Sequence, residues 1–234
     1  GIAVSAGIVA SYAGTVTVIA GAFLAALLAA FIVYRVAASS GRVVVATMLL
    51  AGIALTAFFG AVTALVVAAG RTPELGTVQF WTLGSFAGIV GRDDVVDALL
   101  VIPAIAVLWR LGPKLDALAL GETEAGHLGI DVPRLTVAVS VIFALLTAVA
   151  VATAGVIAFV ALMVPSLIRP FIGQSHRVVV IGSALLGGTL LVVADVVARS
   201  IFSPVELSIG VITTVLGAPF FLWLLLRDRG LLAR

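Results

Sequence analysis

Apolar residues run along this chain in long unbroken blocks, separated by short clusters of charge. The blocks lack the strict alternation of a membrane β-strand. Their lengths suit helices that cross a bilayer, for which about 20 apolar residues suffice. The first block, Ile2 to Tyr34, is too long for one crossing and is punctuated near Tyr12 to Thr15, so it reads as a short span followed by a full one. Further spans are expected at Val43–Ala69, Val95–Trp109, Leu135 to about Gly155, Val156–Ile172, Val178–Ala198 and Leu207–Leu226. The fold class is therefore an all-α polytopic membrane protein with about eight transmembrane helices, counting the incomplete first one, in a single transmembrane domain over residues 1–234. The run Val156–Ile172 is short and interrupted by Pro165 and Arg169. Without it the count falls to seven and the C-terminus changes sides.

Charge placement tests that count. If eight spans alternate, one side carries Arg35, Arg42, Arg110, Lys114, Arg134, Arg169, Arg177, Arg227, Arg229 and Arg234, and the other only Arg71, Arg92 and Arg199. Lys and Arg collect in cytoplasmic loops, so the richer side, with the C-terminus, is cytoplasmic. Seven spans would scatter the basic residues over both sides.

Composition agrees and excludes other classes. Hydrophobic residues make up 63% of the chain and charged ones 10%, against about 25% charged in soluble domains. A net charge of +2 gives no reason to expect nucleic acid as a partner, because basic residues gathered in membrane loops account for it. The absence of cysteine rules out disulfides, thiolate metal sites and cysteine nucleophiles. Gly1 already lies in an apolar run with no basic segment before it, so the natural chain is expected to begin earlier.

One stretch breaks the pattern. Leu118 to Arg134, LALGETEAGHLGIDVPR, holds two glutamates, a histidine, an aspartate and an arginine between two apolar runs. Gly121 and Gly129 bracket a segment with Glu122 and Glu124 in its first turn and His127 in its last, the charge order a helix dipole favours. Gly129 suits a C-terminal cap and Pro133 the first turn of the next span. The stretch is expected to form a two-turn helix ~12 Å long. On physical grounds alone, a solvated connector and a docking element for a cytoplasmic partner weigh about evenly. The minimal length of most other loops tilts the balance toward docking.

Gly121 to Gly129, G-E-T-E-A-G-H-L-G, resembles the G-E-x-x-A-x-x-L-G segment of FecCD-type permeases, the membrane subunits of ABC importers for iron(III)-siderophores, haem and vitamin B12. The resemblance continues in order through L-A-G-I-A-L at Leu50 to Leu55, F-W-T-L-G-S-F-A-G at Phe80 to Gly88, A-D-V-V-A-R at Ala194 to Arg199 and G-A-P-F-F at Gly217 to Phe221. It implies about ten spans, of which this chain begins in the third. It also implies that Gly121, Glu122, Thr123, Glu124, Ala125, His127, Leu128 and Gly129 form a coupling helix, within a loop of about 113–134, that inserts into an ATPase subunit. The pathway would be lined around Ala46 and Thr47 and around Ile209, Gly210, Thr213 and Thr214. Partners implied are a second permease, identical or related, two cytoplasmic ATPase subunits carrying ATP and Mg, and an extracytoplasmic substrate-binding protein. No cofactor is expected on this chain, and the location implied is a bacterial cytoplasmic membrane. Four positions depart from the family pattern: Ser166 replaces a histidine, Ala161 a glycine, Ser175 an aspartate and Ser208 a proline.

Other residues invite chemistry. Asp195 and Arg199, four apart on one helix face, are expected to pair near the outer end of a span, which outweighs a substrate contact about two to one. His127 and His176 are expected on cytoplasmic loops without metal-site spacing. Gly84 and Gly88 form a G-x-x-x-G in a segment the family uses as a short helix over the outer end of the pathway, where close packing is expected. Gly187 and Gly188 are expected to permit tight helix contact.

Three function classes compete. Lys114 is the only lysine and is followed by Leu115, so no G-K-[ST] phosphate loop exists here and the chain is not itself an ATPase of that kind. An ion-coupled secondary transporter is the alternative, but among the spans only Asp195 is an acid well within the membrane, and an arginine accompanies it. A membrane enzyme would need convergent His, Asp or Glu at membrane depth, which the pattern lacks. A permease driven by a separate ATPase, with a metal chelate such as an iron(III)-siderophore as cargo, is the expectation.

Overall fold

The computed structural model describes residues 2–37, 45–69, 82–86, 93–201 and 207–232. Eight helices run through them: α1 (Ile2–Ala37), α2 (Val45–Ala69), α3 (Asp93–Leu118), α4 (Glu122–His127), α5 (Val132–Ala154), α6 (Val160–Ile172), α7 (His176–Ile201) and α8 (Ile209–Leu232). A helix pairs its backbone groups within itself, the condition that hydrocarbon imposes on an apolar segment. Among the described residues three helical stretches are long and apolar enough to cross a membrane: Val95–Leu118, Val132–Ala154 and His176–Ser200. Shorter apolar helical stretches run at Ile19–Val33, Leu50–Leu65, Val160–Ile172 and Ile209–Leu224.

Three expected boundaries are corrected. The first block is one helix of 36 residues, unbroken at Tyr12 to Thr15, rather than a short span and a full one. Its length of ~54 Å at 1.5 Å per residue exceeds a hydrocarbon core of about 30 Å. Gly14 and Thr15 do not break it, because glycine is tolerated in apolar helices where no water competes for the backbone. Arg35 stays at its C-terminal end, so the charge distribution is unaffected.

The second correction lies in α3, which passes the expected end at Trp109 and runs through Gly112 and Pro113 to Leu118. Gly-Pro reads as a stop, yet here it is a contact point. A Cβ on Gly112 would lie 2.5 Å from Cγ of Arg177, so the glycine admits α7 and packing carries the helix onward. The connection expected over 113–134 therefore narrows to residues 119–131 with α4 inside it. The third correction is α6, which begins only at Val160. Residues 155–159 are not helical, and the helix is ~20 Å long.

The helices pack through small residues, as expected where lipid removes any hydrophobic gain between helices. Ala144 and Ala148 of α5, Ala104 of α3 and Ala194 and Ala198 of α7 are buried, while Leu99, Phe143 and Leu185 are exposed. The principal contacts pair α1 with α5, α3 with α7, α6 with α7 and α3 with α5.

Candidate functional site

The polar stretch forms α4, and its ends are set by glycine. Gly121 precedes it at φ +128 and Gly129 follows at φ +79, conformations open to a residue without Cβ. At the C-terminal end Gly129 N–H donates to Gly126 O (2.9 Å) and Ile130 N–H to Ala125 O (3.1 Å), the paired bonds of a Schellman motif. The helix has six residues, shorter than the two turns expected. Ala125 is fully buried and anchors it. Glu122, Thr123, Glu124, His127, Leu128 and Gly129 are all exposed. Leu120 and Leu128 flank it at 72% and 66% exposure.

The joints on both sides are firm. Asp131 caps α5: its Oδ1 accepts the Arg134 N–H at 3.1 Å and its Oδ2 lies 3.0 Å from Arg134 Nε, with Pro133 in the first turn. Asp116, near the end of α3, accepts the His176 backbone N–H at 2.8 Å and lies 2.6 Å from its Nδ1. Ser175 Oγ donates to the same carboxylate at 3.2 Å. His176 is thus the first residue of α7 and a partner of Asp116, not a loop residue. Nearby, the Arg177 guanidinium sits 4.7 Å from the Trp109 ring centroid, a cation–π contact. Sequence reasoning missed Asp116. The available signal was the serine at 175, a helix-capping residue type directly before an apolar run.

At the opposite end of the bundle three breaks in the helices meet. Gly84, at φ +69, lies where a Cβ would be 2.8 Å from Val156 O. Ser85 N–H donates to Ala154 O at 2.9 Å. Phe159, non-glycine at φ 66, starts α6 and abuts Gly217 of α8, while Gly210 abuts the Leu83 carbonyl. Non-helical backbone is tolerated at membrane depth only where protein covers it or a cavity adjoins it, and here the segments cover one another. Thr153 Oγ1 also lies 2.6 Å from Asp97 Oδ2, a contact between α5 and α3 that sequence reasoning did not anticipate. Gly88, with Phe80, Trp81 and Ala87 of the same motif, lies outside the described residues.

The expected pathway residues divide. Ile209 and Thr213 are each 1% exposed and Gly210 is buried, so these three pack inside the protomer. Thr214 is exposed. Thr47 of α2 is half-buried. The side chain of Ala46 lies outside the described residues. α2 packs on α1, and α8 on α6 and α7, so the two groups sit against different neighbours. Asp195 Oδ2 accepts from Arg199 Nε at 2.9 Å one turn along α7.

The remaining departures and glycines also find places. Ser166 Oγ donates to Leu162 O within its own helix, Ala161 is exposed and Ser208 is buried. A Cβ on Gly187 would meet Val164 of α6 only at 3.9 Å, an ordinary contact, and one on Gly188 would meet nothing within 4 Å, so neither glycine makes the tight contact expected of it.

Comparison with known proteins places this geometry. The profile of the FecCD transport family matches residues 1–227. The chain is 42% identical over 209 residues to the cobalamin import system permease protein BtuC of Halobacterium salinarum, covering 89% of this chain and 55% of that protein. It is 36% identical over 209 residues to the hemin transport system permease protein HmuU of Yersinia pestis, covering 89% and 62%. Among solved structures, a metal-chelate type ABC transporter in an inward-facing conformation matches with a TM-score of 0.72 and 28% identity, over 86% of this chain and 63% of that one. The chain thus spans between about half and two thirds of the length of these relatives. A polytopic helical membrane chain with an exposed polar helix between two of its longest spans, it belongs to the FecCD transport family.

Proposed function

We propose that the chain is the transmembrane permease subunit of a binding-protein-dependent ABC importer whose cargo is a metal chelate of the siderophore, haem or cobalamin type. The observation that carries this is α4: a short helix anchored on one buried alanine, with two acids, a histidine and two flanking leucines all turned outward. Such a knob fits a socket on a soluble partner. The firm joints at Asp116–His176 and Asp131–Arg134 make it a lever on α3, α5 and α7 rather than a loose loop.

In this reading two permeases, identical or related, form the passage in a bacterial cytoplasmic membrane. Two ATPase subunits, which hold ATP and Mg, seat on the α4 side, where the C-terminus also lies. A substrate-binding protein delivers cargo at the far side, where residues 82–86, 155–159 and 207–210 meet. Closure of the ATPase pair displaces α4, and the helices rock between outward-open and inward-open arrangements as rigid bodies. The names of the relatives, one for cobalamin and one for hemin, support a chelate of that size class.

The test is uptake into proteoliposomes containing the permease pair, the ATPase and the binding protein, with labelled cobalamin, haem and an iron(III)-siderophore offered in turn. Accumulation of one of them that requires ATP inside supports the proposal. Accumulation driven by a proton or sodium gradient with the ATPase omitted would make the chain a secondary transporter and overturn it.

A further inference from the structure

A cavity of about 380 Å³ opens between the C-terminal end of α3 and the N-terminal end of α5, beneath the connection that leaves α4. Leu111 and Lys114 of α3, Arg134 and Leu135 of α5, and Ile130 and Asp131 of the connection line it. Lys114 has no hydrogen bond or ion pair among the described residues. Arg134 engages Asp131 through Nε alone, which leaves the two terminal amino groups of its fork free to donate. Asp131 is already occupied by the α5 N-terminus and by Arg134 Nε, so the cavity keeps an uncompensated positive charge.

Below these cations Leu111 and Ala138 give the cavity apolar walls, and the same helix faces continue apolar beyond it to Val107 and Val141. Val107, Leu111 and Lys114 stand at helical spacing on α3, and Arg134, Ala138 and Val141 on α5. The two helices pack against each other and run in opposite directions, so Val107 and Val141, both exposed, lie deeper toward the bilayer centre than the cations. A site with cations at the mouth and an exposed apolar strip leading from it into the hydrocarbon matches the chemistry of a phospholipid. Basic pockets between transmembrane helices hold acidic head groups in this way.

We propose that this cavity binds the phosphate of an anionic phospholipid, with an acyl chain lying along Val107 and Val141. The site stands on the membrane-spanning fold and does not depend on the importer reading. A bound lipid would brace α3 against α5 at the base of α4.

The test is native mass spectrometry of the intact protein released from nanodiscs of phosphatidylcholine with a minor fraction of phosphatidylglycerol. The wild type is expected to retain phosphatidylglycerol preferentially. Lys114→Gln and Arg134→Gln should each weaken retention about fivefold and together roughly 30-fold, as expected for basic residues at an anionic surface. Lys114→Arg keeps the charge and should keep the lipid, as should Arg169→Gln, which lies outside the cavity. If the double variant does not fold, the contrast between Lys114→Gln and Lys114→Arg carries the test. Undiminished retention in Lys114→Gln would overturn the proposal. Displacement of the lipid by millimolar inorganic phosphate would make this a site for soluble phosphate and equally overturn the lipid assignment.

Discussion

Asp116, near the end of α3, caps a helix that begins 60 positions later: its Oδ1 accepts the backbone N–H of His176, the first residue of α7, at 2.8 Å. The first N–H groups of a helix have no partner within it, and here one partner is supplied by a different helix. The same carboxylate therefore satisfies the α7 terminus and fixes α3 to α7 directly before α4.

Replacing Asp116 with alanine should remove both functions. The expected loss is about 1–2 kcal/mol, the scale of a lost helix cap, read as a lowered denaturation midpoint of the protein in nanodiscs. Asp116→Asn keeps an oxygen for the His176 N–H and should recover part of that loss. Equal stability of the alanine variant and the wild type would show that the bracket does not hold the helices.

A second prediction concerns Phe159 and Gly217. Phe159 holds a left-handed backbone, and its Cβ fills the place a side chain on Gly217 would take. Gly217→Ala should cost about 1–3 kcal/mol, as overpacking does, whereas Gly188→Ala on α7, with nothing within 4 Å, should be close to neutral. Phe159→Gly in the Gly217→Ala background should restore part of the loss, since it removes both the clash and the strained φ. Additive effects in this double-mutant cycle would show that the two residues do not couple.

The comparison of these sites explains what could be read from the sequence. Apolar runs located the helices because hydrocarbon leaves a long greasy segment few alternatives, and the glycines at 121 and 129 located α4 because both are needed at positive φ. The helix ends were less legible where tertiary contact overrode a local signal. Gly112 and Pro113 look like a stop, but Gly112 is where α7 approaches. Val156 to Phe159 look like the start of a span, but they bend across Gly84 and leave only Val160–Ile172 helical. Gly210 was expected along a passage, yet it abuts the backbone carbonyls of Leu83 and Val156, more than 50 positions away, which no local pattern displays. Asp116 was hidden for the same reason, because its partners lie on another helix.

Topology gives a third prediction. Ten of the thirteen basic residues share one side only if the segment containing α6 crosses. A cysteine in place of Gln174, in the turn between α6 and α7, should be labelled from the cytoplasm of sealed vesicles, and one in place of Ser203 from outside. Gln174 is preferable to Ser175, whose hydroxyl bonds Asp116. The chain has no native cysteine to obscure the result. Labelling of both from one side would mean that α7 does not cross. Labelling of the Gln174 site alone from outside would make α6 re-entrant.

The central claim is that α4 is the coupling element between this chain and an ATPase, and the most direct measurement is substrate-stimulated ATP hydrolysis by the reconstituted complex carrying Glu122→Lys with Glu124→Lys. Each replacement changes the local charge by two, four in all for each copy, on side chains that are exposed, so the fold of the chain should survive. Like charges brought together at an interface can cost several kcal/mol. Stimulation should fall to the basal rate while the permease remains inserted at wild-type levels. Stimulation equal to wild type in that variant would contradict the claim and reduce α4 to a solvated connector.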